Sequence, residues 1–232
     1  MREIVLDTET TGLNPDAGDR IVEIGGVELH NHVPTGRVYH QYINPERDMP
    51  QEAYDVHGLS IEFLSDKPVF SAVAQAFLEF VGDANLVIHN AAFDMKFLNA
   101  ELTWSGNTNI PWARAVDTLD IARQKYPGAQ NSLDALCRRY GVDNSGREKH
   151  GALLDSELLA EVYLELVGGR QPDFALANIP VSGSIRSNQI DADTPIGARP
   201  TELSPRVSEA ELSAHAAFVD KLGENALWRK FS

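Results

Sequence analysis

Four acidic residues and one histidine are the groups in this chain whose types and spacing could do chemistry together. Asp7 and Glu9 stand in VLDTETTGL, where a short β-branched run, Glu3–Asp7, ends. Side chains alternate across a strand, so residues 7 and 9 share a face and project two carboxylates side by side. Such charges repel, and a hard divalent cation between them lets both stay ionised. A solvated strand end accounts for the same triplet without chemistry. Asp94 lies in VIHNAAFD, where a strand-like run passes straight into a helix-like one. Corners of that kind line ligand crevices in open α/β sheets, although a carboxylate in a first helical turn also simply suits the exposed N–H groups there. His150 and Asp155 fall in KHGALLDSELLAEVYLEL. Five residues apart on one helix they would diverge by about 140°, so they converge only if His150 stands in the preceding loop and folds back. Gly146 and Gly151 give that loop its freedom. A loop histidine beside carboxylates is a candidate general base near neutral pH, while taken alone it is one of seven histidines.

The combination carries more than its parts. Four carboxylates and a histidine at the ends of different elements are what two-metal hydrolysis of a phosphodiester requires: paired cations stabilise the attacking and leaving oxygens, and a base takes the proton of water. Oxygen ligands of this hardness suit two divalent ions, Mg²⁺ or Mn²⁺. The composition agrees. With 20 Lys+Arg against 34 Asp+Glu the net charge is −14, which excludes bulk electrostatic attraction to nucleic acid or an anionic membrane. A polyanion then needs a local source of positive charge, and cations in a cleft supply one.

The elements that must position these groups follow from periodicity. Glu3–Asp7, Ile21–Leu29 and Arg37–Ile43 read as strands of an antiparallel meander with Gly, Pro and Asn turns. Helices are expected over Ser71–Val81, Ala92–Leu102, Thr118–Lys125, Ser132–Tyr140 and from about Ala152 to Val167, with strands at Leu86–His89 and near Ala115–Val116. A meander followed by strands interleaved with helices implies the α/β class, a mixed sheet with helices packed on it. Phe93 and Phe97, four apart on a helix, read as core rather than as a stacking platform.

The segments VLDTETTGL, VIHNAAFD and KHGALLDSELLAEVYLEL resemble the three exonuclease motifs of the DEDDh family of 3′–5′ exonucleases. The resemblance implies a ribonuclease-H-like, five-stranded mixed sheet and catalytic residues Asp7, Glu9, Asp94, Asp155 and His150. It implies that Asp7 bridges both metals, Glu9 and Asp155 complete one site, Asp94 serves the second mainly through water, and His150 activates the attacking water. It also implies that Asp7, Thr8, Glu9 and Asp155, with the hydroxyls and backbone as far as Thr11, meet the terminal nucleotide of a single-stranded or frayed primer end. Leu13 and His57 would form the wall for its base and sugar.

Beyond the expected exonuclease domain, residues 1–170, the chain changes character. Gln171-Pro-Asp-Phe174-Ala-Leu176 resembles the peptide by which partners dock on bacterial sliding clamps, through Gln171, Phe174 and Leu176. Residues 177–207 contain four prolines and no aromatic residue, and read as a flexible linker spanning roughly 30 Å. Ser208 and Glu211 form a capping box that opens a helix, with Leu212, Val219 and Leu222 on one side and Trp228 and Phe231 beyond Gly223. A lone helix of this length is marginal in water, so its apolar side requires a partner. The tail, residues 208–232, resembles the polymerase-binding tail of the epsilon subunits of bacterial DNA polymerase III. That resemblance implies the polymerase catalytic (alpha) subunit and the sliding clamp (beta) as partners, a small theta-like accessory subunit as a further one, and proofreading as the role. The motifs alone leave open a ribonuclease for short RNA or tRNA ends, and an adaptor between polymerase and clamp. A single cysteine, Cys137, read as a buried thiol, charged residues where a signal peptide needs apolar ones, and the lack of an 18-residue apolar run lead to the expectation of a cytoplasmic, nucleoid-associated protein without membrane contact.

Overall fold

The sheet forms around its first strand, β1 (Arg2–Thr10), whose Ile4, Val5 and Leu6 are fully buried. β1 pairs antiparallel with β2 (Ile21–His30), and β2 with β3 (Val33–Tyr42). On its other side β1 pairs parallel with β4 (Asn85–Ile88), which pairs parallel with β5 (Ala115–Asp117). The computed structural model thus has one five-stranded mixed sheet of order β3-β2-β1-β4-β5. It describes residues 1–147, 149–168 and 207–223, and the chain divides into two units, Met1–Leu176 and Ala177–Ser232.

Both faces of β1 are covered, which is why Ile4, Val5 and Leu6 follow one another without a polar residue. Ile4 and Leu6 pack against α3 (Phe70–Val81) and α4 (Ala91–Trp104), through Phe70, Phe77, Met95 and Leu98. Val5 points the other way, with Val27 and Val87, onto Leu159, Ala160 and Tyr163 of α7 (Ala152–Leu166). α5 (Thr118–Lys125) and α6 (Leu133–Tyr140) close the outer side of α7 over Ala122, Leu136 and the buried free thiol of Cys137. Burying each such aliphatic side chain contributes about 1.5–3 kcal/mol.

Two short helices, α1 (Gln51–His57) and α2 (Ile61–Leu64), stand where the sequence shows no period. With seven and four residues they are too short for a recurring apolar face. β3 begins at Val33 rather than Arg37, because Asn31 and His32 both take positive φ, 51° and 65°, and close a two-residue hairpin. A histidine at such a position disguises the turn. β1 runs three residues past Asp7, since Thr8, Glu9 and Thr10 keep pairing with Ile24, Glu23 and Ile21 across a register shift.

In the second unit, α8 (Glu209–Lys221) starts at the expected capping box of Ser208 and Glu211, and Gly223 follows its end with a φ of 76°. Leu212, Phe218 and Leu222 are exposed on it, and Val219 is half-buried. The clamp-type peptide at 171–176, linker residues 177–206, Trp228 and Phe231 lie outside the described residues. No described helix is long and apolar enough to cross a membrane.

One close approach sets the position of α7. A Cβ on Gly25 would come within 2.1 Å of the Ala152 backbone, so the first turn of the helix lies directly on β2. The Ser156 hydroxyl donates to the Gly25 carbonyl at 3.1 Å, and the Ala152 N–H donates to Glu23 Oε2 at 3.2 Å. Gly25→Ala is expected to cost at least about 1–3 kcal/mol in urea unfolding. Gly26→Ala, whose Cβ meets a ring edge of Phe80 at 3.2 Å rather than backbone, is expected to cost less.

Candidate active site

Three elements deliver the four acidic residues. Asp7 and Glu9 project from the end of β1, where Glu9 pairs with Glu23 of β2. Asp94 sits in the first turn of α4, reached through a corner at Asn90 that takes the left-handed conformation with φ 68°. Asp117 holds that corner. Its carboxylate accepts the N–H groups of Asn90 at 3.1 Å and Ala91 at 3.0 Å, and also caps α5 through Leu119 at 2.9 Å. The Thr8 hydroxyl donates to Asp94 Oδ1 at 2.7 Å and ties the strand to the helix. Asp155 lies in the first turn of α7, with Gly151 as the N-cap and His150 in the loop before it. The His150 N–H donates to the Val56 carbonyl at 3.2 Å, and its Nδ1 comes to 3.2 Å from Asp155 Oδ2. The loop therefore folds back as the spacing required.

All five residues meet. Glu9, His150 and Asp155 offer ligand atoms within 4.8 Å of one another, and Asp7 lies in the field of Asp94, Glu9 and Asp155. Glu9, Asp94 and Asp155 are buried, and Asp7 is partly so. Burial, then the charges of Asp94, Glu9 and Asp155, push the Asp7 carboxyl well above its ordinary range. Burial, with Asp155 and Glu23 nearby, raises Glu9 to about 8. Burial raises Asp94 to about 7 against the opposing hydrogen bond from Thr8. Asp155 differs: burial raises it, but His150 and Arg147 outweigh burial and hold it below its ordinary value. Arg147 forks Asp155 with bonds of 2.5 and 2.6 Å and reaches Asp134 at 2.8 Å. Crowded, buried oxygen donors of this kind fit divalent cations, whose charge would let all four carboxylates ionise.

Residues of the cluster line two cavities. One, of about 820 Å³, is lined by Asp7, His89, Arg123, Asp134, Arg147 and Asp155 among others. The other, of about 500 Å³, includes Thr8, Glu9, Leu13, His57 and Phe93 in its wall. Leu13 is 83% exposed, so it belongs to the cavity rather than the core. His57 is buried, and its Nδ1 accepts the Leu59 N–H at 3.0 Å, so the proton of the neutral ring is on Nε2. That Nε2 finds no hydrogen-bond partner among the described residues, and burial pushes the ring down to about 4. Phe97 is core as expected, whereas Phe93, half-buried, also lines the smaller cavity. Sequence reasoning did not single out Arg147, Asp117 or Glu23. Asp117 had a signal in its place before a helix, while Arg147 belongs to no periodic segment and had none.

The raised carboxyls set a sign. A group that binds its proton more tightly folded than unfolded stabilises the fold below its unfolded pKa, and that contribution is lost as pH rises toward the folded value. For Glu9 the window runs from 4.5 to about 8, and for Asp94 from 3.8 to about 7. The metal-free protein is therefore expected to lose thermal stability through these groups from pH 3.8 to about 8. Added Mn²⁺ should raise Tm more at pH 8 than at pH 5.5, with proton release measurable in a weakly buffered titration.

Residues 4–163 match the exonuclease family RNase_T. The chain is 51% identical to the DNA polymerase III subunit epsilon of Rickettsia conorii over 230 residues, covering 97% of this chain and 98% of the relative. It is 44% identical to the protein of that name from Escherichia coli K12, covering 98% and 97%. Among solved structures, the nuclease domain of 3′hExo, a DEDDh family member bound to rAMP, shares the fold with a TM-score of 0.63 at 21% identity, over 72% of this chain and 91% of that one. Exonuclease X in complex with 5′ overhanging duplex DNA does so with a TM-score of 0.55 at 22% identity, over 71% and 90%. The chain belongs to the exonuclease family, as a member of its DNA polymerase III epsilon subunits.

Proposed function

We propose that the two cavities divide the substrate at its scissile bond: the 3′-terminal nucleotide enters the smaller one, and the strand behind it runs through the larger. The chain is a divalent-metal-dependent 3′–5′ exonuclease with a proofreading role. The observation that supports the division is that Asp7 and Asp155 line one cavity and Thr8 and Glu9 the other.

In the smaller cavity His57 stands in the wall as a neutral ring whose proton is on Nε2, and exposed Leu13 with Phe93 presents an apolar surface to the terminal base. Asp7, Glu9, Asp94 and Asp155 would hold two divalent cations, Mg²⁺ or Mn²⁺. When bound, these supply charge stabilisation for the attacking and leaving oxygens. His150, at the rim and 49% exposed in its side chain, takes the proton of the attacking water. The bond from phosphorus to the 3′ oxygen of the next nucleotide breaks, and a nucleoside 5′-monophosphate leaves. A mispaired end costs less to unstack, so errors reach the cleft more readily than matched ends.

Residues 1–170 would then form the nuclease, 171–176 a clamp-binding peptide, 177–207 a linker and 208–232 the attachment to the polymerase catalytic subunit. The exposed Leu212 and Leu222, with Val219 beside them on α8, support that last assignment. A theta-like subunit would be a further partner of the nuclease.

With Mn²⁺ and a 3′-labelled single strand, Asp7→Ala is expected to lower kcat by at least about 10²–10³-fold. His57→Ala and Leu13→Ala should mainly raise KM. Equal degradation by Asp7→Ala would overturn the assignment, and equal rates on matched RNA and DNA would favour the ribonuclease reading. Removing residues 171–232 should abolish co-purification with polymerase and clamp and leave single-strand hydrolysis intact.

A further inference from the structure

Arg147 is the one cation among the described residues that contacts the acidic cluster's Asp155 directly, and the way it does so has a chemical consequence. Its side chain is 8% exposed. Nε and Nη2 each donate to one carboxylate oxygen of Asp155, so both oxygens already face a positive charge. Nη2 also lies 2.7 Å from Nδ1 of His150. Arginine only donates, so Nδ1 accepts. Nδ1 also lies 3.2 Å from Asp155 Oδ2, so the guanidinium and that carboxylate share one edge of the ring. In this arrangement the guanidinium covers the Nδ1 edge of His150 and supplies Asp155 with the positive charge that a cation would bring. One side chain thus engages the candidate metal ligand and the candidate base together.

The third arm provides a way out. Nη1 donates to Asp134 Oδ1 at 2.8 Å, and Asp134, near the start of α6, is itself held by Asn144 Nδ2 at 3.0 Å. The guanidinium can release Asp155 and His150 while keeping Asp134, a pivot within the larger cavity rather than an escape into solvent.

We propose that Arg147 is a positioning residue that acts as an exchangeable counter-ion: it stands in for a cation at Asp155, and cation binding transfers it to Asp134 and uncovers His150 in the same event. The proposal rests on Asp155 being a cation ligand, as read above. Its meaning is a coupling free energy: the protein cannot expose its base without having loaded its metal, and idle hydrolysis chemistry is suppressed in the unloaded state.

The test is a calorimetric Mn²⁺ titration of the full chain without nucleic acid, paired with a Mg²⁺ titration followed by the imidazole ¹⁵N shifts of His150. Arg147→Ala is expected to bind Mn²⁺ more tightly, on the order of tenfold, and to show its His150 signals already at the released position before Mg²⁺ is added. Arg147→Lys, which keeps charge but cannot fork, should fall between Arg147→Ala and the wild type. Asp134→Asn, at a half-exposed position, should do the opposite and weaken Mn²⁺ binding by removing the resting place. Unchanged or weaker Mn²⁺ binding in both Arg147 variants, or a His150 signal in the wild type that ignores Mg²⁺, would overturn the coupling. Asp155→Asn separates the two levels: if it binds Mn²⁺ as the wild type does, the ligand assignment itself fails, and the coupling with it.

Discussion

Repulsion among carboxylates held close together in a buried place is the constraint on which the rest of this structure depends. Asp7, Glu9, Asp94 and Asp155 would separate if the chain let them, and nothing in their own chemistry keeps them together without a cation. What holds them is the hydrophobic packing of the elements that carry them. β1 is buried on both faces, α4 is pinned to it by Thr8 and Asp94, and α7 lies so close on β2 that only glycine fits beneath it. The core therefore maintains an arrangement of charge that is unfavourable until positive charge arrives, which is how a folded scaffold prepares a site for tight cation binding.

The supporting groups are themselves acidic. Glu23 anchors the first N–H of α7 while adding to the repulsion felt by Glu9, and Asp117 fastens the corner that presents Asp94. A carboxylate at a helix N-terminus satisfies unpaired N–H groups and suits the helix dipole, so stability and the negative field of the site are built with the same residues. Asp155 is the exception, since Arg147 neutralises it, and this makes the site asymmetric: one carboxylate is shielded and the other three hold their protons more tightly than usual.

Much of the fold was legible because its signals are local. The meander, the helices over residues 70–81, 91–104, 118–125, 133–140 and 152–166, and the capping box of α8 follow from apolar period and cap residues that neighbours in sequence share. The parts that were not legible depend on contacts far along the chain. α1 and α2 are too short to show a period, and the early start of β3 depends on a histidine in a turn that strand pairing enforces. Phe93 reads as core from its spacing with Phe97, and only the tertiary structure shows that it also lines a cavity beside β1.

The sequence by itself determined which side chains could act. Two carboxylates on one face of a strand, one at a strand-to-helix corner and one in a first helical turn behind a flexible histidine loop define the chemistry through residue type and spacing. Tertiary structure alone decided how those groups are charged and what shields them. Burial, the convergence of four elements and the reach of Arg147 from a loop to Asp134, Asp155 and His150 are set by distances in space, and electrostatic energies depend on those distances and on the surrounding dielectric rather than on order along the chain.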